Sequence, residues 1–334
     1  MRSRRGFITA FGALTVGSLA GCLSTDSDTD TPDNDTDTTE TGAGTESEPS
    51  TIGRQWTFET AGPVISSPAL VDGTVYVGSD DKTVYAINAA NGTEQWAFQT
   101  NGTVASSPAV VDGTVYVGSF DESVYALDAG DGTEQWTFQT GNAVFSSPVV
   151  TDGTVFIGSN DGNVYALDAA DGTEQWAFQT GNSVISSPAV VDGTVYLGNG
   201  ALGDDGNVYA LDAGDGTERW TFQAGPAVLS WPAVADGTVF IGDNDGDVYA
   251  LDAADGTEQW TVQTDDSVRS LPAVADETVY VGSFDGNLYA LDAGGGTEQW
   301  TFQTGDPVES SPTVVDGTVY FGSLDDSVYA LDAG

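Results

Sequence analysis

A tryptophan recurs along this sequence at a nearly constant interval, and that period limits the possible folds more than any other feature. The intervals are 40, 40, 40, 44, 40 and 40 residues, between Trp56, Trp96, Trp136, Trp176, Trp220, Trp260 and Trp300. The six tryptophans from Trp96 onward each end a copy of one segment, represented by residues 126–136. A fixed period of this length indicates tandem units of one architecture.

A single repeat contains four short strand signals separated by turn signals. In the copy that begins at residue 144, the four apolar or alternating runs cover residues 144–150, 154–159, 164–168 and 174–180. The Asp-Gly dipeptides between such runs are strong hairpin signals. No apolar period of helical length follows residue 50, which excludes solenoids of helix pairs. Four antiparallel strands in about 40 residues predict one blade of a β-propeller.

The number of first-strand segments sets the number of blades. These segments contain a proline, and they occur seven times, at Pro68, Pro108, Pro148, Pro188, Pro232, Pro272 and Pro312. The last copy lacks a fourth strand, whereas residues 54–60 are a fourth strand with no blade before them. The sequence therefore predicts an all-β, seven-bladed propeller of four-stranded antiparallel blades, closed by the N-terminal strand, which completes the last blade.

The repeated segment resembles the tryptophan-docking motif of the pyrroloquinoline-quinone-type (PQQ-like) propellers, Ala-x-Asp-x-x-Thr-Gly-x-x-x-Trp. It is present here as Ala126, Asp128, Gly132 and Trp136, with Asp131 where the family usually has threonine. The resemblance covers residues 52–334. It implies that each repeat tryptophan is structural and packs against the adjacent blade, where its N–H needs a partner.

The first 21 residues have the features of an export signal. Arg4 and Arg5 lie in a segment that looks like a twin-arginine motif. The apolar run that follows, residues 7–20, is too short to span a bilayer. Cys22 follows Leu-Ala-Gly, as in a lipobox, and it is the only cysteine. We therefore expect cleavage before Cys22, lipid on its sulfur, and anchoring to the outer face of the cytoplasmic membrane.

Residues 22–51 join this anchor to the propeller. They contain nine acidic residues and no lysine, arginine or aromatic residue. Such a composition cannot bury enough apolar surface to fold and predicts a disordered tether. Asn34, Asn91 and Asn101 each begin an Asn-x-Thr sequon, and the sequence leaves their glycosylation open.

The charge of the chain is strongly negative. After removal of the signal, four basic residues oppose 51 acidic ones, a net charge of −47. Phosphate backbones would be repelled, which excludes nucleic acid as a partner. An acidic excess with almost no lysine resembles proteins of extreme halophiles, in which molar salt shortens the screening length to about 3 Å. We therefore expect a halophilic archaeal host. We also expect a monomeric propeller.

The residue types present exclude several kinds of catalytic site. There is no histidine, and no cysteine lies in the propeller, so Ser-His and Cys-His nucleophiles are excluded. The family resemblance implies that a quinone-dependent dehydrogenase would use a vicinal cysteine pair, calcium and an aspartate base; the cysteine pair is absent. PQQ and calcium are possible by resemblance only, and we expect no enzyme, no cofactor and no metal. Residues 243–247 alternate like a calcium loop but lack its sixth-position glycine and terminal glutamate, so turn chemistry is the favoured interpretation.

Because the repeats are near-copies, the positions at which they differ are informative. A four-residue insertion gives residues 199–205. One position is apolar in the first five copies, the fifth being Leu229, and is Arg269 and Glu309 in the last two. A second position, two residues further on, is serine in five copies but Trp231 and Leu271 in blades 5 and 6. These five residues, called the patch below, are predicted to lie together across adjacent blades, because positions i and i+2 of a strand share a side. The patch is either an Arg269–Glu309 ion pair over a packed tryptophan, or a site for a ligand or partner.

Two classes of function are compatible with these features. The first is a non-catalytic binding or scaffold protein, similar to the lipidated BamB-like propellers, with an unknown protein or cell-surface partner. The second is a small-molecule or quinone sensor, or a quinoprotein, that uses the central funnel. The sequence favours the first class because it has no histidine and no cysteine pair.

Overall fold

The structure is a computed structural model that describes residues 55–201 and 205–333. The predicted signal with Arg4 and Arg5, the lipidation site at Cys22, the tether and Asn34 lie outside the described residues. The described residues form 27 β-strands and no helix. They therefore include no helix of the length and apolar character needed to cross a bilayer.

The strands follow one another in groups of four, one group to a blade, except that the group of blade 7 has three. Blades 1 to 4 comprise β1 Ala69–Val71, β2 Thr74–Gly78, β3 Thr83–Asn88, β4 Glu94–Gln99, β5 Ala109–Val111, β6 Thr114–Gly118, β7 Ser123–Asp128, β8 Glu134–Gln139, β9 Val149–Thr151, β10 Thr154–Gly158, β11 Asn163–Asp168, β12 Glu174–Gln179, β13 Ala189–Val191, β14 Thr194–Gly198, β15 Asp205–Asp212 and β16 Glu218–Pro226. Blades 5 to 7 comprise β17 Ala233–Ala235, β18 Thr238–Gly242, β19 Asp247–Asp252, β20 Glu258–Gln263, β21 Ala273–Ala275, β22 Thr278–Gly282, β23 Asn287–Asp292, β24 Glu298–Gln303, β25 Thr313–Val315, β26 Thr318–Ser323 and β27 Ser327–Asp332.

Neighbours in the chain are neighbours in each sheet, and all pairs are antiparallel. Six sheets have four strands, and the last, β25-β26-β27, has three. The prediction of an all-β propeller with seven antiparallel blades is confirmed. Its closure is not shown: residues 55–60 belong to no described strand, and ring closure stays a prediction.

The turns explain why each repeat folds back on itself. The first and second strands of a blade are joined by an Asp-Gly pair with positive φ at both residues, as at Asp152 (50°) and Gly153 (75°). Such a turn matches the twist of a hairpin and favours glycine at its second position. We call the side with these turns and those between third and fourth strands the turn face. The opposite side, with the loops between second and third strands, is the loop face.

The hydrophobic core lies between blades and not within them. At the junction of blades 2 and 3, for example, Trp136 and Val124 of one blade are buried with Val155 and Leu167 of the next. Six such clusters join blades 1 to 7 in succession. Since every strand alternates its side chains between two sheet faces, a blade needs a neighbour on each side to bury both.

The insertion in the fourth repeat lengthens one hairpin without breaking it. β15 has eight residues and β16 has nine, and they pair from Asp205–Pro226 to Leu211–Glu218. Asn199 supports the loop, because its side-chain oxygen accepts from the N–H of Asn207 at 2.8 Å. Residues 202–204 of the predicted insertion lie outside the described residues.

Candidate binding surface

One group of polar contacts joins neighbouring blades by hydrogen bonds to aspartate side chains. Asp161 of blade 3 accepts hydrogen bonds from the backbone N–H of Gly141, at the end of blade 2, and from the hydroxyl of Tyr165, both at 2.7 Å. The same arrangement holds for Asp121, whose partners are Asn101 and Tyr125. Burial, partly opposed by Ser123, together with the bond to Asp121 raises the pKa of Tyr125 to about 12, so this phenol remains a donor at neutral pH. These repeated aspartates therefore have a structural role.

In blade 5, the aspartate that bonds to the preceding blade is Asp243, which lies two positions earlier in the repeat than Asp161. The carboxylate of Asp243 is buried, and its Oδ1 accepts from the N–H groups of Asp245 and Asp247. Its Oδ2 accepts from the N–H of Gly225 and the hydroxyl of Tyr249. Both oxygens are thus occupied by protein donors, which supports turn chemistry over calcium binding for residues 243–247. Within residues 55–201 and 205–333, no group of three metal-ligating side chains could hold an ion.

A series of serine contacts links the segments that lead into the first strands. The backbone N–H of Ser67 donates to Oγ of Ser107 at 2.9 Å, and the same contact continues from Ser107 to Ser147 and from Ser147 to Ser187. Two members of the predicted patch interrupt it. Trp231 and Leu271 occupy the serine position and have no hydroxyl, so they cannot accept this bond. The contact is present again between Leu271 N–H and Ser311 Oγ.

The structure places Arg269 in contacts that the sequence did not predict. Its Nε and Nη2 both donate to Oδ1 of Asn244, at 3.2 and 2.8 Å, and its guanidinium lies 4.6 Å from the ring centre of Phe284. No ion pair joins Arg269 to Glu309, and among the described residues the pair Arg219–Asp212 is the one salt bridge found. Asn244 and Phe284 both belong to loops of the loop face. The ion-pair interpretation of the patch is therefore wrong.

The remaining patch residues share the loop face with Arg269. Leu229, Trp231 and Leu271 are partly buried, and Glu309 is exposed. Phe120, 39% exposed, continues the apolar character of this face, and its ring packs 5.6 Å from that of Phe145. Sequence comparison between repeats did not single out Asn244, Phe284 or Phe120, because their loop position has no consensus residue from which a departure could be recognised.

The repeat tryptophans lie at the turn face, away from the patch. Six of them donate their indole N–H to an alanine carbonyl of the following blade, for example Trp96 to Ala129 and Trp136 to Ala169, both at 3.0 Å. The ring of Trp300 packs 5.8 Å from that of Tyr280. Their positions are those of structural residues between blades.

This arrangement of blades, tryptophan contacts and interblade cores defines a β-propeller built from PQQ-like repeats. The chain belongs to the family of the outer membrane protein assembly factor BamB, whose profile matches residues 45–148, 102–204, 165–272 and 244–334.

Solved structures resemble the chain in fold. The crystal structure of BamB from Moraxella catarrhalis is 20% identical, with a TM-score of 0.71, over 82% of this chain and 87% of that one. A computationally designed protein, Ika8, is 17% identical, with a TM-score of 0.56, over 80% of this chain and 95% of that one. No curated protein matches the sequence. At these identities the likeness concerns the fold alone.

Proposed function

We propose that this protein is a non-catalytic binding propeller, held outside the cell by lipid on Cys22, whose protein partner docks on the loop face at the patch. The membership in the BamB family supports a binding or scaffold role. The observation on which the site depends is the guanidinium of Arg269, which the structure positions with neutral groups.

Asn244 and Phe284 orient this guanidinium without cancelling its charge. An amide oxygen and an aromatic face hold Nε and Nη2, while Nη1 makes no hydrogen bond to any described residue. In a protein with 51 acidic residues, such a cation is an unusual surface feature. Its free edge suits a carboxylate of the partner, since guanidinium and carboxylate form charge-assisted hydrogen bonds.

The surroundings of Arg269 suit a protein partner. Leu229, Trp231 and Leu271 give the same face partly exposed apolar side chains, and tryptophan and arginine are enriched at binding hot spots. Gln55, the first described residue, precedes the Trp56 contact on the turn face. A chain anchored through Cys22 would thus enter the propeller on the side opposite the patch, and the patch would be directed away from the membrane.

Site-specific crosslinking in host membranes tests the site. We expect a photo-reactive amino acid at position 231 to give an adduct of defined mass, whereas the same group at the exposed Gln135 of an outer strand does not. Arg269→Ala should reduce the adduct about tenfold or more, since a hydrogen bond to a charged group contributes roughly 1.5–3 kcal/mol. Equal adducts at both positions, or indifference to Arg269→Ala, would reject the site.

Cell fractionation tests the lipid anchor and the proposed location outside the cell. We expect Cys22→Ser to release the protein into the medium, and Arg4→Lys with Arg5→Lys to retain it inside the cell. A Cys22→Ser protein that stays in carbonate-washed membranes would contradict lipid anchoring. Titration with PQQ and calcium tests the quinoprotein alternative, for which a stoichiometric red-shifted absorbance would be required.

The proposed halophilic host has its own test. With a net charge of −47, we expect β-structure to be lost when molar KCl is replaced by millimolar salt at neutral pH, because the carboxylates then repel one another unscreened. Circular dichroism measures this directly. A spectrum unchanged at low salt would contradict a halophilic origin.

A further inference from the structure

The contact that Arg269 makes on the loop face can be compared with the same place in other blades. Its Nε and Nη2 donate to Oδ1 of Asn244 in the loop of blade 5, and its guanidinium carbon lies 4.6 Å from the ring centre of Phe284 in the loop of blade 6. An acceptor in one blade and an aromatic ring in the next thus hold a guanidinium between them. These are two kinds of group that a planar guanidinium recognises.

Backbone hydrogen bonds fix the place of this side chain. The N–H of Val268 donates to the carbonyl of Asp243 at 2.9 Å, and the N–H of Phe284 donates to the carbonyl of Ser267 at 2.9 Å. The first bond joins the segment of Arg269 to the loop of blade 5, and the second joins it to the loop of blade 6. The main chain therefore determines which two loop side chains lie on either side of residue 269.

The junction of blades 1 and 2 has the same main-chain bonds. The N–H of Val104 donates to the carbonyl of Ser79 at 3.1 Å, and the N–H of Phe120 donates to the carbonyl of Thr103 at 2.9 Å. These four residues lie four repeats before their counterparts in blades 5 and 6. Residue 105 is therefore held between two loops in the way that residue 269 is.

The side chains at this junction keep the acceptor and the ring but not the cation. Four repeats before the acceptor, the arginine and the ring of blades 5 and 6, the sequence has Asp80, Ala105 and Phe120. Because the side chain of Ala105 ends at Cβ, it supplies no cation to the acceptor. The acceptor is a carboxylate here, so it attracts a cation more strongly than the neutral amide of Asn244 does.

The carboxylate of Asp80 is available to a donor. Its Oδ1 is buried and accepts no hydrogen bond from any residue that the structure describes. The exposed Lys82 is not paired with it, since Arg219–Asp212 is the one salt bridge within the described ranges. Buried acceptors are paired in most folded proteins, which points to a donor from outside the chain. Asp80 as a whole is partly exposed, so such a donor can approach from the loop face.

The ring of Phe120 is available as well. It is 39% exposed even though the ring of Phe145 packs 5.6 Å away. Phe284, whose ring contacts the guanidinium of Arg269, is only partly exposed. The open ring and the carboxylate thus flank Ala105 with the two groups that a guanidinium needs.

We propose that Asp80, Ala105 and Phe120 form a site for the guanidinium of an arginine side chain that another polypeptide presents. The incoming group takes the place that Arg269 has between blades 5 and 6, donates to the carboxylate of Asp80 and stacks on Phe120. Arginine is preferred to lysine because a compact ammonium lacks the planar face for stacking. This site goes beyond the proposed function, since it lies in other blades than the patch and receives a guanidinium where the patch provides one.

The junction of blades 3 and 4 shows that an unpaired oxygen alone does not define the site. Oδ1 of Asn160 is also buried without a donor among the described residues. The residue in the place of Ala105 is Ile185 there, and the next loop has Gly200 instead of a ring. A branched apolar side chain thus takes the place of the guanidinium, and there is no aromatic face for stacking.

Titration with a single arginine tests the site. The probe is N-acetyl-arginine amide, followed by fluorine NMR of para-fluorophenylalanine at position 120 in the full chain with Cys22→Ser, in molar KCl. We expect a saturable shift, which K⁺ in large excess does not prevent, and none with N-acetyl-citrulline amide, which has a similar shape without the charge. Asp80→Asn should weaken binding about tenfold or more. Ala105→Arg should abolish the shift, because the arginine of the chain then occupies the site.

A copy of the site elsewhere in the chain is the matched control. Asn244→Asp with Arg269→Ala gives blades 5 and 6 the same three residue types, and the fluorinated residue at position 284 should then report binding that the unsubstituted junction does not show. No saturable shift at position 120, whether or not the copy binds, would overturn the proposal and would mean that solvent satisfies Asp80. An equal shift with the citrulline probe or in Ala105→Arg would overturn it too.

Melting temperatures check the geometry without a probe. Ala105→Arg should melt above Ala105→Met, which has a long side chain but no charge, and Asp80→Ala should remove that difference. If Ala105→Arg melts below Ala105→Met, a guanidinium does not fit between the two loops and the proposal fails. Neither experiment uses the partner of the patch, so this site and the proposed function can fail separately.

Discussion

The indole nitrogen of Trp176 donates to the carbonyl oxygen of Ala213 at 3.0 Å across 37 residues, whereas every equivalent pair is separated by 33. The four additional residues are accommodated by the longer hairpin of β15 and β16. The contact between blades is thus unchanged by an insertion within the blade. The junction, not the blade, is the constant unit of this fold.

Loss of one such tryptophan should weaken a whole junction. Trp176 is 8% exposed and packs in the core of blades 3 and 4. We expect Trp176→Ala to destabilise the protein by about 3–5 kcal/mol, as large-to-small core substitutions do. Trp231→Ala, on the loop face and only partly buried, is the control and should melt nearly as the unsubstituted protein. Thermal melting followed by circular dichroism distinguishes them, and equal losses would mean that Trp231 is ordinary packing.

Substitution of two glycines distinguishes destabilisation by backbone strain from destabilisation by steric contact. Gly172 (φ 72°) faces the ring of Trp136, where an added Cβ would lie 2.7 Å from Cδ2, whereas Gly153 (φ 75°) has nothing within 4 Å. Both Ala variants are destabilised by the strain of positive φ, by roughly 1–2 kcal/mol. Only Gly172→Ala must also displace a docked tryptophan, so it should melt at a clearly lower temperature. Equal melting temperatures would show that the ring can move aside freely.

One repeat contains a residue that its own turn disfavours. The Asp-Gly turn of the other blades is Asp276–Glu277 in blade 6, with φ of 46° and 64°. We expect Glu277→Gly to stabilise the protein by about 1 kcal/mol, or about 2 °C, because a left-handed glutamate is strained. The reciprocal change in blade 5, Gly237→Glu, should destabilise by a similar amount. Opposite signs in these two variants are the required result.

The fold could be predicted from the sequence because the same pattern of strands and turns recurs along the chain. Seven copies of one strand-and-turn pattern determine the blades, and an Asp-Gly turn has few alternatives. The role of the acidic residues could not be predicted in this way. Asp161 is a link to Gly141 of the preceding blade, yet in sequence it is indistinguishable from a solvent-exposed turn aspartate.

The structure gives Arg269 a neighbour that the repeat period does not indicate. A period of 40 suggests that Arg269 meets Glu309 of the next blade. The side chain instead contacts Asn244, 25 residues earlier, in a loop of the preceding blade. Contacts between blades depend on where loops end in space, and a repeat period alone does not give that. The free edge of Arg269 therefore emerged only from the structure.

The last prediction concerns acid stability and Asp247. Blades 3, 4 and 6 have asparagine at this position. In blade 3, Nδ2 of Asn163 donates to Asp161 and to Tyr165 at 3.1 and 3.2 Å. Asp247 cannot donate when ionised. Burial, and then the charge of Asp243, raise the pKa of Asp247 above its ordinary value.

A pKa that is raised in the folded state changes stability with pH in a definite direction. Its contribution to stability is fully present below the ordinary aspartate pKa of about 3.9 and is lost as pH rises through the raised folded value. We therefore expect Asp247→Asn to melt higher than the unsubstituted protein at pH 7, and this gain should shrink as pH falls through the carboxyl range.

A matched aspartate should behave in the opposite way. The hydrogen bonds from Thr173, first from its hydroxyl and then from its N–H, lower the pKa of Asp171. Its contribution is present above the ordinary pKa and is lost as pH falls through the folded value. Asp171→Asn should thus melt slightly lower at pH 7, and the deficit should vanish in acid. Melting temperatures of both variants, measured against pH in molar salt, check this. If the gain for Asp247→Asn persists at the lowest pH, the difference in stability between aspartate and asparagine at this position comes from packing and not from charge.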